Sequence, residues 1–421
     1  MVFPMRSPFV RSMSIRNMAQ EEEETGATPT LIGPYHKIYA RFPKLPVPFG
    51  WRATKQSRPD TGYSTSVVDP QGLEWEVALL DVEDAKHVEA FLYRRSLSQT
   101  LMAVSRMHGL VSEDFPFADF TRLLPPPEGP VFASSVCQAR RRMDTSMATV
   151  CKSPQQLTTE HYRYFAFQML CGLHILHSCG AVHMNLSTRT VLVSEDCRIG
   201  LSEIHLPHCG RFAEDVDVFG GQRWYRAPEL LLTGERGMVS PHLSTPANDI
   251  WSFGAIMCEI IGRKPMWAGR DTVSQISLVM KDRGAPEDCD CHMGRSARRF
   301  LLRFKEEKNS EIAADPKARL AERLPSIADE NDLLDFLDKA LDIDVTHPFV
   351  NGLVVDMQFV MDPVSHSSCL DTHTMTPDDR GVQSPQFRFE FSTTDDDQRA
   401  LLWRAMLEDN PEMYEWWLEG E

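Results

Sequence analysis

Apolar residues change their spacing near Thr158, and with it the structure the chain is able to form. Downstream, Tyr162, Phe165, Ala166, Met169, Leu170, Leu173 and Leu176 recur at three and four residues, and Gly180 follows as a helix stop. A second helix is expected from about Ile250 to Ile261, ending at Gly262. It is apolar on most faces, which suits a helix inside a helical body. Upstream, between Tyr35 and Cys137, short β-like runs separated by Pro and Gly dominate, Leu73–Leu80 and Val131–Val136 among them. One mixed segment there, Ala85–Met107, has helical character. The expected fold class is α+β, with a small, mostly β lobe and a large, mostly α lobe.

At 421 residues the chain exceeds one typical core, so two lobes with terminal extensions fit its length. A net charge of -16 argues against a protein built to coat nucleic acid or anionic membrane, because phosphate binding needs a basic face. No apolar run approaches the roughly 20 residues that span a bilayer. Even Leu353–Met361 is interrupted by Asp356 and Gln358. Neither nucleic acid nor membrane is expected as a partner.

Ten cysteines without a secretory signal favour a reducing compartment and free thiols. Cys289, Cys291 and His292 lie close together, yet no second ligand pair follows at zinc spacing. Residues 1–20 carry Arg6, Arg11 and Arg16 with no acid, a faint likeness to a mitochondrial presequence, before the acidic run Glu21–Glu24. A disordered tail over residues 1–34 is the preferred reading. The expected location is cytoplasmic or nuclear. Near the other end, Phe387–Phe391 alternates, and Asp395 with Gln398 opens a helix carrying Leu401, Leu402, Ala405 and Met406. That end of the chain is expected to be folded and docked.

Two motifs narrow the fold. Arg223-Trp224-Tyr225-Arg226-Ala227-Pro228-Glu229 is followed by Asn248-Asp249-Ile250-Trp251-Ser252-Phe253-Gly254. They resemble the end of a protein-kinase activation segment and the start of the helix that anchors the large lobe. Lys264-Pro265-Met266-Trp267-Ala268-Gly269-Arg270-Asp271 and Ser296-Ala297-Arg298-Arg299-Phe300-Leu301-Leu302 are similar to the mitogen-activated branch, nearest its stress-responsive members. The resemblance implies a bilobal kinase-like fold, with an N-lobe over 35–137, a C-lobe over 138–350 and an extension over 351–421 that packs back on the lobes.

The family's chemistry needs a carboxylate base, an asparagine and an aspartate for magnesium, and a lysine held by a helix glutamate. His183-Met184-Asn185-Leu186-Ser187-Thr188-Arg189-Thr190 matches the catalytic loop. Asn185 then stands in place of the base, Ser187 of the phosphate-contacting lysine and Thr190 of the metal-binding asparagine. An amide does not accept the substrate proton at neutral pH, which alone implies a rate deficit of roughly 10² to 10⁴. Glu203-Ile204-His205 stands where the family has its magnesium-binding triplet. Glu203 keeps a carboxylate but adds a methylene, so metal binding is expected to be damaged.

In the small lobe, Leu80 ends Val77-Ala78-Leu79-Leu80 in place of the catalytic lysine, and Gln99 replaces its glutamate. Ala78 and Leu192 match the pair that sandwiches adenine, leaving a slot for weak, metal-independent ATP binding. Both are equally explained as core residues. Lys55 is a candidate for a relocated phosphate-binding lysine, though a surface lysine is the plainer reading. Only Gly50 and Gly62 stand where a glycine-rich loop is expected.

Asp217 and Phe219 occupy the family's phosphorylated positions, and Met184 replaces the arginine that grips the phosphate. Asp217 falls short of a phosphate in charge and reads as a solvated loop aspartate. The stretch from Ala340 to His347 is shorter than in the family and omits the arginine that pairs with Glu229. A buried Glu229 therefore needs another partner. Asp362-Pro363 matches the start of an acidic docking patch, weakened by Ser365 and His366.

These readings favour a catalytically deficient kinase-like protein that requires no cofactor and whose partners are other kinases, their substrates or regulators. The alternatives are a divergent active serine/threonine kinase using Glu203 and Lys55, and a product without a stable fold.

Overall fold

The computed structural model describes residues 52–56, 65–69, 72, 74–81, 85–107, 117–118, 121–123, 135–204, 223–232, 245–284, 295–308, 312–313, 315–343, 401–402, 404–405 and 408–409. The readings made on Gly50, Gly62, Asp217, Phe219, the Cys289 group, Asp362-Pro363 and residues 1–34 lie outside them.

Five strands form the first sheet: β1 (Arg52–Gln56), β2 (Thr65–Val68), β3 (Glu74–Asp81), β4 (Thr121–Leu123) and β5 (Ser135–Arg141). Their spatial order is β1-β2-β3-β5-β4, with every neighbour antiparallel. Helix α1 (Ala85–Met107) packs against β3 and β4. The strand expected over Val131–Val136 is in fact β5, and the sheet runs a few residues past the boundary at 137 read from the sequence. Arg140 on β5 is buried, with Nε 3.0 Å from Oε2 of buried Glu76 on β3. Charge paired across two strands is compatible with a central strand, and periodicity does not reveal it.

The rest is mostly helical. A three-stranded sheet, β6 (Thr145–Ser146), β7 (Val191–Val193) and β8 (Ile199–Leu201), lies beside α2 (Met147–Lys152) and α3 (Thr159–Ser178). Beyond it come α4 (Pro228–Leu232), α5 (Pro246–Gly262), α6 (Thr272–Arg283), α7 (Arg295–Lys308), α8 (Pro316–Arg323) and α9 (Asn331–Ala340). Helix α3 starts where the sequence says: Thr158 caps it, and His161 reaches back to the Thr158 N–H at 3.1 Å. Helix α5 starts earlier than expected, at Pro246 rather than Ile250. Proline at a first-turn position and the Thr245–Asn248 capping box are the signals that place this start.

Helix α5 is the hub, buried along nearly its whole length from Asn248 to Ile261. Trp251 stacks on Trp267 at 5.6 Å between centroids, and Phe253 meets Phe336 of α9 edge-on at 5.9 Å. The main core cluster also takes Tyr93, Leu97, Leu101 and Val104 from α1, so apolar packing is continuous between the β-rich and helical parts.

Gly269 sits where three pieces meet. Its N–H donates to Gln275 Oε1 at 2.7 Å, and its carbonyl accepts Trp224 Nε1 at 3.2 Å. A Cβ there would lie 2.4 Å from both N and Cα of Gln275, which are backbone atoms of α6. Gly269→Ala is expected to cost about 1 to 3 kcal/mol, read as a lowered denaturant midpoint, because backbone does not yield as a side chain does.

Candidate functional site

The loop Ala181–Thr190 leaves α3 and reaches β7 across the N-terminal end of α5. What holds it is Asp249, whose side chain is 1% exposed. Asp249 accepts the His183 N–H at 2.7 Å, the Met184 N–H at 2.8 Å and His177 Nε2 at 2.8 Å. Burial pushes its carboxyl up, but the His177 hydrogen bond and charge, with His183, overcome this and hold it below the usual carboxylate range. Met184 is thereby kept at φ 58°, a left-handed conformation that costs a non-glycine residue about 1–2 kcal/mol.

Within the loop the side chains bind one another. Thr190 Oγ1 donates to the Asn185 carbonyl at 2.8 Å and accepts the Ser187 N–H at 2.9 Å. Ser187 Oγ accepts the Arg189 and Thr190 N–H groups, both at 3.2 Å. Ser187 and Thr190 are buried. Asn185 Nδ2 donates to the carbonyl of Glu203 at 2.9 Å. Glu203 is exposed and sits at φ 58°, and the next residue, Ile204, enters the core.

Thr188 connects this loop to the turn Arg223–Tyr225. The hydroxyls of Thr188 and Tyr225 lie 2.8 Å apart, and Tyr225 donates to Glu259 Oε2 at 2.5 Å. Burial, then the charge of Glu259, pushes the Tyr225 phenol far up. Arg223 Nη1 donates to the Arg270 carbonyl at 3.0 Å, while Arg226 is half-buried. Glu229 receives Asn248 Nδ2, the partner the sequence left open. Burial pushes its carboxyl up to about 7, with hydrogen bonds from its own backbone and from Asn248 offsetting part of the rise.

Residues 136–347 match the family model described as protein kinase domain. The chain is 30% identical over 275 residues to mitogen-activated protein kinase homolog MMK2 of Medicago sativa, covering 64% of this chain and 67% of that protein. Extracellular signal-regulated kinase 1 of Dictyostelium discoideum is 30% identical over 280 residues, 64% of this chain and 47% of its own length. The chain belongs to the mitogen-activated protein kinase family. It spans about half the length of the Dictyostelium relative. In fold it is similar to a solved structure, MAP kinase LmaMPK10 from Leishmania major, with a TM-score of 0.60 at 19% identity over 86% of this chain and 95% of that one.

Asn185, Ser187 and Thr190 bind one another within the loop, and the Asn185 amide reaches the Glu203 carbonyl. Leu192 is buried on β7 but stays outside the main core cluster, which takes its neighbours Val191 and Val193. That alternation puts Leu192 on the other face of the strand. Ala78 and Leu80 lie on β3, paired with Gln138 and Val136 of β5, and Gln99 is exposed on α1. Lys55 lies on β1 opposite Ser66, beside an irregularity in the ladder. Cys179, Cys197 and Cys258 are buried, and burial pushes the Cys258 thiol up to about 12.

Sequence reasoning missed Asp249 as the organiser of the loop, although it stands in a motif singled out for other reasons. It also missed the Arg95 anchor. Arg95 Nη1 donates to Asp409 Oδ1 and Oδ2 at 2.6 and 2.5 Å, and Nη2 to Glu408 Oε2 at 3.1 Å. No local pattern marks that pairing.

Proposed function

We propose that this protein is a catalytically deficient mitogen-activated protein kinase homologue that acts as a scaffold, competitor or allosteric modulator in a kinase cascade. The carrying observation is the catalytic loop. An amide stands in place of the base, and the hydroxyls of Ser187 and Thr190, in place of the lysine and asparagine, are buried and bonded within the loop. Phosphoryl transfer relies on positioning and charge, and these groups supply neither toward the cleft.

Magnesium takes near-octahedral oxygens at about 2.0–2.1 Å. A threonine hydroxyl already donating to Asn185 and accepting from Ser187 does not suit that demand, which leaves the exposed Glu203 carboxylate alone of the two matched positions and metal binding damaged. Nucleotide binding, where it occurs, is weak and metal-independent, with Leu192 against the base. The partners are other kinases, their substrates or regulators, met in the cytoplasm or nucleus.

Purified protein with upstream kinases present is expected to transfer no labelled phosphate to itself or a generic substrate. Millimolar ATP is expected to raise the melting temperature little, and equally with and without magnesium, since only ligand bound to the folded state stabilises it. The competing reading, an active divergent serine/threonine kinase, is favoured by one observation, the exposed carboxylate of Glu203. Magnesium-dependent labelling lost in Glu203→Ala establishes that reading and removes ours.

A further inference from the structure

In a protein kinase the catalytic-loop asparagine and the aspartate that opens the activation segment hold magnesium jointly, so the metal ties two stretches of chain together. Here Thr190 and Glu203 occupy those positions. The two stretches are nevertheless joined, by the Asn185 amide donating to the Glu203 carbonyl at 2.9 Å. Beside that bond, the Ser202 N–H and hydroxyl donate to the Thr190 carbonyl at 2.9 and 2.8 Å.

We infer that Asn185 is a positioning residue whose side-chain amide does the joining that a metal ion does in an active kinase, fixing the start of the activation segment without nucleotide. This deepens the non-catalytic reading and rests on it.

The argument turns on backbone strain. Glu203 has a Cβ and is held at φ 58°, which persists only where neighbouring contacts over-determine it. Two contacts do so here. Ile204 is 2% exposed in the main core and pulls the chain inward. The Asn185 amide meets the carbonyl of Glu203 itself, on the side facing the catalytic loop. Asn185 is in turn held in place, since its carbonyl accepts the Thr190 hydroxyl and its N–H faces His183 Nδ1 at 3.3 Å. The amide therefore acts from a fixed base on a strained target. An aspartate, the family's residue, presents only acceptors to that carbonyl at neutral pH. The change that restores the base thus removes the tie.

The test uses the full chain, with backbone amide exchange and thermal melting as readouts. Asn185→Asp is expected to lower the melting temperature and speed exchange at residues 203 and 204 on the order of tenfold, the effect of about one net hydrogen bond. It is expected to gain no phosphate transfer. Glu203→Gly supplies the control, because glycine adopts positive φ without a Cβ penalty. In the Glu203→Gly background, Asn185→Asp is expected to lose less than half as much stability. Unchanged exchange in Asn185→Asp overturns the inference, as does an equal loss in both backgrounds. Phosphate transfer by the unsubstituted protein counts against the proposed function, while the exchange data still decide this point.

Discussion

Arg95→Ala is expected to lower stability by about 3 to 5 kcal/mol and to release the C-terminal segment to proteases. Arg95 is 7% exposed on α1 and makes a two-pronged pair with Asp409, which also accepts the Leu123 N–H at 2.7 Å. Removing the guanidinium leaves that largely buried carboxylate without this cation. Arg95→Lys is expected to recover only part of the loss, since one ammonium nitrogen does not reach Asp409 and Glu408 together as Nη1 and Nη2 do. Asp409→Asn tests the same tie from its other end. A change in denaturation midpoint no larger than a surface substitution gives, about 0.5 kcal/mol, would show the contact to be superficial. The pair also explains how α1 is positioned. Gln99, one turn after Arg95, is exposed. The helix is secured through Arg95 to the C-terminal segment.

Local and short-range features were legible in the sequence. The spacing from Tyr162 to Leu176 marked α3, and the two motifs around Glu229 and Asp249 marked the family. Asn185, Ser187, Thr190 and Glu203 were singled out by the family resemblance, and their mutual bonds appear only in the structure. What was not legible depends on contacts between distant residues. Arg95 and Asp409 are 314 positions apart, and nothing near either marks the other. Arg140 carried no signal because its partner Glu76 lies on another strand. Asn185 was read only as a replaced base, while the bond of its amide to the Glu203 carbonyl depends on two loops meeting in space. The start of α5 was missed for a different reason: Thr245, Pro246 and Asn248 carried the signal, and apolar periodicity was followed instead.

The contribution of Glu229 to stability is expected to fall as pH rises from about 4.5 to above 7, and Glu229→Gln to remove that contribution to the slope. Glu229 is half-buried as a residue, but its Oε2 is shielded from water and has no hydrogen-bond partner among the described residues. Oε1 takes the Asn248 amide, whose own oxygen is committed to the Thr245 N–H at 2.9 Å. Burial thus raises the folded-state carboxyl to about 7, against 4.5 for the free group. Between those values the folded state keeps a proton that the unfolded chain has lost. Rising pH then favours unfolding, by about 1.4 kcal/mol per unit at most and roughly 3 kcal/mol in all. The contribution is fully present below about 4.5 and is gone once pH passes the folded value. Glutamine does not titrate, but its added amide N–H groups face the unpartnered side and cost about 1–3 kcal/mol at every pH. The diagnostic is therefore the difference between denaturation midpoints at pH 5 and pH 8, compared between wild type and variant, in which all other titrating groups cancel. An equal difference in both proteins would mean that a cation reaches Oε2. Among the described residues no cation meets Glu229, so a proton neutralises it and this buried contact becomes sensitive to pH near 7.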